Sequence, residues 1–476
     1  MENFDLIVIG SGVGLTVLEE ALNKGWTCAL VENLKLGGTC LTKGCIPSKS
    51  LTYPADLIRE MQDARKIGLE FQLNSFDWSK IADKMWNAIN ETEDIEQALE
   101  KVTKLKVFRG TASFISSTEI SVIIAESGRK VVLKSGKIVI AAGARTHVPD
   151  VKGLEKCGYM MSETFFNQQF PAKPYESLAI IGGGAVGCEF AHIFSAFGTQ
   201  VTIIESKPNI LSREEPEISQ HVMQAFSRVG IKVITNSRLV AAKIQEGVKQ
   251  ITVEDKTTGK KQLFNCQEIM IATGLKTNAD LLNVKKAGIA TDESGWIIVN
   301  EFMETNVEGI WALGDIIGKF QFRHVGDREA KIVNDNMFHA LPIKQVMDYS
   351  KIPWAIYTYP QVAHLGMTEA QAAVKAKSDG KHYYVGKKFY SSIAKGEAMG
   401  YKSGSKEDGF VKVICDEQKR ILGAHAVGVN ADLLIQGLTY LMNADNLAVY
   451  KSIVIHPSLN EVANWVFYEL ELKHIH

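Results

Sequence analysis

Phe4-Asp5-Leu6-Ile7-Val8-Ile9-Gly10-Ser11-Gly12-Val13-Gly14 decides the reading of this 476-residue chain. An apolar run of strand length meets a glycine-rich turn, and the segment behind it reads as a helix to about Lys24. A second apolar run, Trp26–Glu32, then ends on an acid. The first glycine of such a unit permits the tight turn, the second lets backbone approach a pyrophosphate, and the third lets helix pack closely on strand. The helix N-terminus presents unpaired N–H groups and a positive dipole end to phosphate oxygens. A carboxylate about 20 residues on accepts hydrogen bonds from a ribose 2′-hydroxyl. Gly10, Gly12 and Glu32 fit this scheme. Leu15 stands where the third glycine is usual, and Gly14, one residue earlier, is expected to restore part of the close approach.

The theme returns in the middle of the chain. Leu178–Ile181 leads into Gly182-Gly183-Gly184-Ala185-Val186-Gly187, then a helix to Phe197 and a strand Gln200–Glu205. Gly182, Gly184, Gly187 and Glu205 complete the pattern, so this unit should hold a second dinucleotide. A carboxylate at 205 repels a 2′-phosphate and no arginine follows at once, which favours NAD over NADP; Lys207 is the nearest cation. Strand–helix alternation indicates a parallel sheet. The expected fold is α/β, with two Rossmann-like dinucleotide-binding domains. Between 106 and 142 the pattern turns to short β runs, while a hairpin over 409–427 and helices over Ala431–Asn443 and Leu459–Leu472 indicate a C-terminal α+β domain.

Bulk properties narrow the function. With 53 basic and 54 acidic side chains the formal net charge is -1, which argues against nucleic-acid and membrane-surface partners. No apolar run is long enough for a bilayer, and no basic segment with a cleavage site precedes the first strand, so the cytoplasm is the expected compartment. Seven cysteines, an odd number with only one close pair, do not make a secreted disulfide framework.

That pair lies in Gly37-Gly38-Thr39-Cys40-Leu41-Thr42-Lys43-Gly44-Cys45-Ile46-Pro47-Ser48-Lys49. Two thiols across so short a loop can form a strained local disulfide, and a thiolate near a helix N-terminus or a cation is a competent nucleophile. Read alone, they could also be structural thiols or half of a metal site. A four-ligand zinc site needs two more Cys or His at short spacing, and none stands nearby, so no metal is expected.

At this point the chain resembles the two-dinucleotide-domain disulfide reductases, which include dihydrolipoamide dehydrogenase, glutathione reductase, mycothione reductase and mercuric reductase. The likeness runs in order over essentially the whole chain. Val139-Ile140-Ala141-Ala142-Gly143 and Ile271-Ala272-Thr273-Gly274 are similar to the strand ends that close each nucleotide domain. Gly309-Ile310-Trp311-Ala312-Leu313-Gly314-Asp315 resembles the motif whose Asp faces FAD. His456-Pro457-Ser458-Leu459-Asn460-Glu461 matches the C-terminal His-Pro…Glu signature.

The resemblance implies domains at 1–150 (FAD-binding), 151–277 (NAD(P)-binding), 278–346 (central, returning to the first) and 347–476 (dimerisation). It implies FAD contacts from Gly10, Gly12, Gly14, Glu32, Gly38, Thr39, Lys49, Ala112, Ala142, Gly143, Gly314 and Asp315. NAD contacts would come from Gly182, Gly184, Gly187, Glu205 and Gly274. Cys45 would lie against the flavin, with Cys40 meeting the substrate. Lys49 and Glu189 would pair beside the flavin. His456, oriented by Glu461, would act as acid/base in the other subunit of a homodimer. The remaining cysteines, at 28, 157, 188, 266 and 415, are expected to be structural.

The implied reaction is FAD-dependent dithiol–disulfide exchange coupled to NAD, with dihydrolipoamide the favoured substrate. Leu51-Thr52-Tyr53-Pro54 is apolar rather than anion-binding, which suits lipoamide. Phe322-Arg323-His324-Val325 and the stretch from Glu189 to Ala196 resemble mycothione reductase instead, so a reductase of another small disulfide, glutathione-type included, stands as the alternative. A flavoprotein redox sensor or structural subunit is a further one, although it would not need Cys40, Cys45, Lys49, His456 and Glu461 together.

Overall fold

The computed structural model describes residues 1–339, 341–444 and 448–474. Leu6–Ile9 is fully buried and runs parallel between Cys28–Glu32 and Ile138–Ile140. Leu105–Phe114 extends the sheet on one side and Ile310–Ala312 on the other. A strand from position 310 thus returns to a sheet begun at position 6. The near-continuous apolar runs follow from burial on both faces of a parallel sheet. Leu105–Phe114 changes partners midway. Its first half pairs with Cys28–Glu32, and from Gly110 it turns to pair antiparallel with Glu119–Ile124. A Cβ at Gly110 would stand 2.2 Å from the Ile123 carbonyl oxygen, so the changeover needs glycine.

The second unit repeats the first in small. Lys232–Ile234, Gln200–Ile204, Ser177–Ile181 and Glu268–Ile271 form a parallel sheet in that order, flanked by an antiparallel meander over 237–266. The C-terminal part is a six-stranded sheet in the order Pro353–Ile356, Gln361–Gly366, Ile421–Gly428, Phe410–Cys415, Tyr383–Phe389, Glu471–Lys473. The expected hairpin is the pair Phe410–Cys415 and Ile421–Gly428, and Ala431–Asn443 is helical as read.

The expectation of a helix over Leu459–Leu472 needs correction. The α-helix covers only Glu461–Trp465, a 3-10 turn follows over Val466–Glu469, and Glu471–Lys473 is a strand paired with Tyr383–Val385. The apolar positions Val462, Ala463, Val466 and Phe467 are all buried, which gave the helical period. Edge pairing with a strand some 90 residues earlier in the chain takes the segment after Glu469.

Two long helices, Cys45–Asp63 and Trp78–Glu100, join the first unit to the second. An aromatic cluster packs them down: Trp78 stacks on Phe170 at 5.4 Å, and Phe165 lies edge-on to Phe190 and Phe194. This packing fixes the helix that carries Cys45 against the helix Ala185–Ala196, which carries Glu189. Among the described residues no helix is long and apolar enough to cross a membrane.

Candidate active site

The two glycine turns are built alike. Ser11 N donates to Glu32 Oε2 at 2.9 Å, and Gly183 N donates to Glu205 Oε2 at 2.6 Å. Two residues beyond each acid a backbone N–H donates to its other oxygen: Leu34 N to Glu32 Oε1 at 2.9 Å, Lys207 N to Glu205 Oε1 at 2.8 Å. Each carboxylate is therefore held at the mouth of its turn, where a ribose would meet it. Gly10 and Gly182 both have positive φ, and a Cβ on either would stand 2.2–2.3 Å from the carbonyl oxygen of Ala141 or Ala272.

The close-packing glycine differs between the units. At Gly187 a Cβ would lie 2.0 Å from Gly182 O, on backbone. At Gly14 it would meet Val8 Cγ1 at 2.8 Å and Ala141 Cβ at 3.0 Å, on side chains. Gly14 does keep its helix close to the strand beneath, while Leu15 is only half-buried.

A long cleft runs from the first turn to the cysteines. Gly10, Gly12, Glu32, Gly38, Thr39, Ala112, Ala142, Gly143, Gly314 and Asp315 all line it, together with Cys40 and Cys45. Gly12 and Gly38 face each other so closely that a Cβ on Gly38 would sit 2.5 Å from Gly12 Cα. The bare backbone on both sides suits a pyrophosphate. Burial pushes the Asp315 carboxyl up to about 6. Gly314 beside it is fixed by its N–H donating to Glu329 Oε2 at 2.6 Å, and Glu329 Oε1 accepts from the Tyr349 hydroxyl at 2.7 Å. The donor and acceptor set fits FAD: amides and an acid at the ribose and pyrophosphate end, a buried carboxyl and thiols at the other. Gly14 and Lys49 stand outside the cleft lining, the one behind the turn and the other beyond Cys45.

Cys40 sits in the short helix Gly38–Thr42, and Cys45 is the first residue of Cys45–Asp63. Both are free thiols here. Cys40 keeps its proton and hydrogen-bonds to Cys45. That bond brings the Cys45 thiol down to about 7 against the opposing effect of burial, with the Lys49 ammonium as a further cause. The hydrogen bond and burial push Cys40 well above the ordinary thiol range. Lys49 Nζ lies 2.9 Å from Glu189 Oε2 and 4.3 Å from the Tyr357 ring centre, and Tyr357 N donates to Glu189 Oε1 at 2.9 Å. The pair thus bridges the first two units and is braced by the third.

His456 and Glu461 form a second constellation. His456 Nδ1 meets Glu461 Oε1 at 2.6 Å, and Ser458 N donates to Glu461 Oε2 at 3.1 Å. Glu461 is fully buried, while the imidazole is 64% exposed, so Nε2 points away from its own chain. The other five cysteines are buried; burial pushes Cys28, Cys266 and Cys415 up to about 12 and makes them poor nucleophiles.

Arg323, in the stretch noted for its likeness to mycothione reductase, lines the cleft with Cys40, its charge favouring the Cys40 thiolate. Sequence reading overlooked Tyr357, which lies under Lys49 and belongs to no local motif. His192, part of the mycothione-reductase-like stretch, is buried with Nε2 on Asp56 Oδ1 at 2.8 Å, so it clamps two helices together.

The model for the pyridine nucleotide-disulphide oxidoreductases matches residues 4–330, and that for the dimerisation domain of the same family matches residues 352–467. The chain belongs to this family. It is an FAD- and NAD(P)-dependent disulfide oxidoreductase, an enzyme acting on sulfur groups. It is 31% identical to the dihydrolipoyl dehydrogenase of Chlamydia pneumoniae over 465 residues, covering 97% of this chain and 95% of that one. With the dihydrolipoyl dehydrogenase of Zymomonas mobilis it shares 32% over 470 residues, 97% and 96% of the two chains. Among solved structures it is similar to the HOCl-induced flavoprotein disulfide reductase RclA from Escherichia coli, with TM-score 0.82, 26% identity and coverage of 98% and 99%. The Cu(II) complex of that protein superposes with TM-score 0.83.

Proposed function

We propose that the chain is a homodimeric, cytoplasmic dihydrolipoyl dehydrogenase that uses the Cys40–Cys45 pair, FAD and NAD⁺. The observation that carries this reading is Cys45 at a helix N-terminus, in the cleft wall, with its thiol lowered to about 7 and Lys49–Glu189 behind it. The substrate assignment rests on the relatives named for that activity.

In the oxidised enzyme Cys40 and Cys45 share a disulfide. His456 of the partner subunit takes the proton from one thiol of the dithiol through Nε2, with Glu461 holding the ring and stabilising the imidazolium. The thiolate attacks Cys40 Sγ. The Cys40–Cys45 bond breaks as the substrate–Cys40 bond forms, and Cys45 leaves as a thiolate stabilised by Lys49 and its helix N-terminus. The second substrate thiol then displaces Cys40, its proton passing to the departing Cys40 sulfur; this closes the substrate disulfide and leaves Cys40 a thiol, Cys45 a thiolate and the electron pair on the two cysteines. FAD, when bound, supplies the chemistry that carries that pair from Cys45 to the nicotinamide. NAD is favoured because Glu205 occupies the ribose position and the Lys207 ammonium is turned to Ser212 Oγ at 2.9 Å.

One observation favours a second reading. Arg323, in the cleft lining with Cys40 and paired to Asp327 Oδ1 at 2.7 Å, would suit a small polar disulfide, as a mycothione- or glutathione-type reductase requires. Steady-state rates with dihydrolipoamide, lipoamide, glutathione disulfide and mycothiol-type disulfide, each with NAD(H) and NADP(H), separate the two. The proposal expects dihydrolipoamide with NAD⁺ to give the highest kcat/KM; a higher value for a polar disulfide with NADPH overturns it.

A further inference from the structure

The seam between the second unit and the C-terminal sheet carries a polar row that the redox chemistry does not use. In the sheet register Trp354 faces His364, His364 faces His425, and His425 faces Lys412, on four neighbouring strands. Directly opposed residues share a face, so these side chains line up side by side. Over them lies the loop that follows Gln200–Ile204, bringing Glu214 and Glu215. Trp354 Nε1 donates to Glu214 Oε1 at 2.7 Å, and Lys412 Nζ pairs with Glu215 Oε2 at 2.7 Å.

The two histidines are the unusual part. Their side chains are 2% and 0% exposed, and that of Glu214 is 1% exposed. His364 Nε2 lies 2.9 Å from Gly366 O, and His425 Nε2 lies 2.9 Å from Met367 O. A carbonyl oxygen only accepts, so each Nε2 carries the hydrogen, and in a neutral ring Nδ1 is then a bare lone pair. Both Nδ1 atoms face one carboxylate oxygen. Glu214 Oε2 is 3.0 Å from His364 Nδ1 and 3.9 Å from His425 Nδ1. His425 Nδ1 is buried and finds no hydrogen-bond partner among the described residues. Three acceptors thus converge on one point, and one ligand atom from each residue lies within 4.8 Å of the others.

Charge around the point has the same sign. Glu214, Glu215, Glu217 and Glu369 cluster here, with Lys412 bonded to the last three and Lys387 to Glu217. Four carboxylates against two ammonium groups leave two negative charges when the histidines are neutral. Ligands of one tetrahedral ion at about 2.1 Å stand roughly 3.4 Å apart, a value that the 3.0 and 3.9 Å separations bracket. The outer partners of a metal site are also in place: each imidazole donates its other N–H to a backbone carbonyl, and the free carboxylate oxygen is held by an indole N–H.

We propose that Glu214, His364 and His425 bind a divalent transition ion of zinc type, which ties the loop after the coenzyme-binding strand to the C-terminal sheet. Two imidazoles and one carboxylate are a three-ligand set such an ion takes, its fourth tetrahedral position falling to a water, and the place of the site in the seam makes its task that of holding the two elements together. The inference does not depend on which disulfide the enzyme uses.

The test uses the full-length, FAD-loaded chain carrying Cys40→Ser and Cys45→Ser, so that two free thiols, zinc ligands by type, do not contribute to the metal count. After treatment with a chelator it is equilibrated with micromolar Zn²⁺ and desalted. One Zn²⁺ per chain should remain, zinc-edge X-ray absorption should show nitrogen and oxygen ligands with imidazole scattering, and the melting temperature should rise. Adding Glu214→Gln or His425→Gln should reduce retained zinc at least tenfold, with FAD content and circular dichroism reporting that the chain is folded. The direct measurement on the unaltered triad guards against misfolding of the variants. A chain with the triad intact that retains no zinc overturns the proposal, and so does undiminished retention by a folded triad variant.

Discussion

Cys45 owes its reactivity to a hydrogen bond from Cys40 and then to Lys49, both working against burial. A thiol lowered to about 7 is a thiolate above that pH and a thiol below it. Lys49→Met removes one lowering cause without touching the sulfur, so the transition should move to higher pH. In the Cys40→Ser holoenzyme Cys45 is a lone thiol in the cleft, and the thiolate beside flavin should give long-wavelength absorbance. The pH at its half-height should rise by about one unit on adding Lys49→Met, equivalent to about 1.4 kcal/mol. An unmoved half-height would mean that Lys49 does not act on Cys45.

His456→Gln should lower kcat for dithiol oxidation by a factor of about 10² to 10⁴, the usual contribution of a general base. Reduction of a flavin-level acceptor by NADH should change little, because no thiol proton moves in that reaction. Glu461→Gln acts through His456 as a positioning residue, so its loss should be smaller and should fall on kcat for dithiol oxidation rather than on flavin-acceptor reduction. Equal losses in both assays for His456→Gln would place its role in FAD or coenzyme binding.

The elements behave as the physics of their contacts requires. Gly187 and Gly14 have the same task, but a Cβ meets backbone at 2.0 Å in one case and side chains at 2.8–3.0 Å in the other. Gly187→Ala should therefore cost more stability than Gly14→Ala, the first at or above the upper end of the roughly 1–3 kcal/mol of overpacking. Thermal unfolding of both variants measures the order, and the reverse order would contradict the packing described here. The helix Pro216–Arg228 carries another check. Burial, followed by the charge of Arg228, brings His221 down to about 4. The native state holds it neutral, whereas the unfolded chain takes up a proton below about 6.5, so stability is lost as pH falls from about 6.5 towards 4. The lost increment approaches about 1.4 kcal/mol per pH unit for this one group. His221→Phe should flatten the acid side of the stability–pH curve, as read by urea unfolding between pH 7 and 5; an unchanged slope would show that His221 is not held neutral.

Legibility in the sequence followed distance along the chain. Both glycine turns and their acids could be read from residue order alone, because each unit closes within about 30 residues. The cysteine segment was legible for the same reason. The last segment was misread because Val462, Ala463, Val466 and Phe467 keep a helical period, while strand pairing of Glu471–Lys473 with Tyr383–Val385 leaves no local mark. Tyr357 and the Glu214–His364–His425 cluster were invisible because each partnership is made only when distant strands and helices pack. Arg323 was legible as part of its local stretch, but its place in the cleft wall with Cys40 was not.

At the scale of the whole molecule, the proposed reaction needs two chains for each active site. Cys40 and Cys45 lie in the cleft of the first unit, whereas His456 Nε2 points outward from the third, beyond a buried Glu461. Exposed Ile453 and Ile455 precede His456, apolar surface of the kind a subunit interface covers. The direct test mixes Cys45→Ser chains with His456→Gln chains under conditions that let dimers reassemble, with distinct tags to isolate heterodimers. Two-fold symmetry gives each heterodimer one site with both lesions and one intact site. Heterodimers should recover about half the wild-type dihydrolipoamide–NAD⁺ activity, from two parent homodimers that are each nearly inactive. Heterodimers as inactive as their parents would show that His456 serves its own chain and would contradict the shared site.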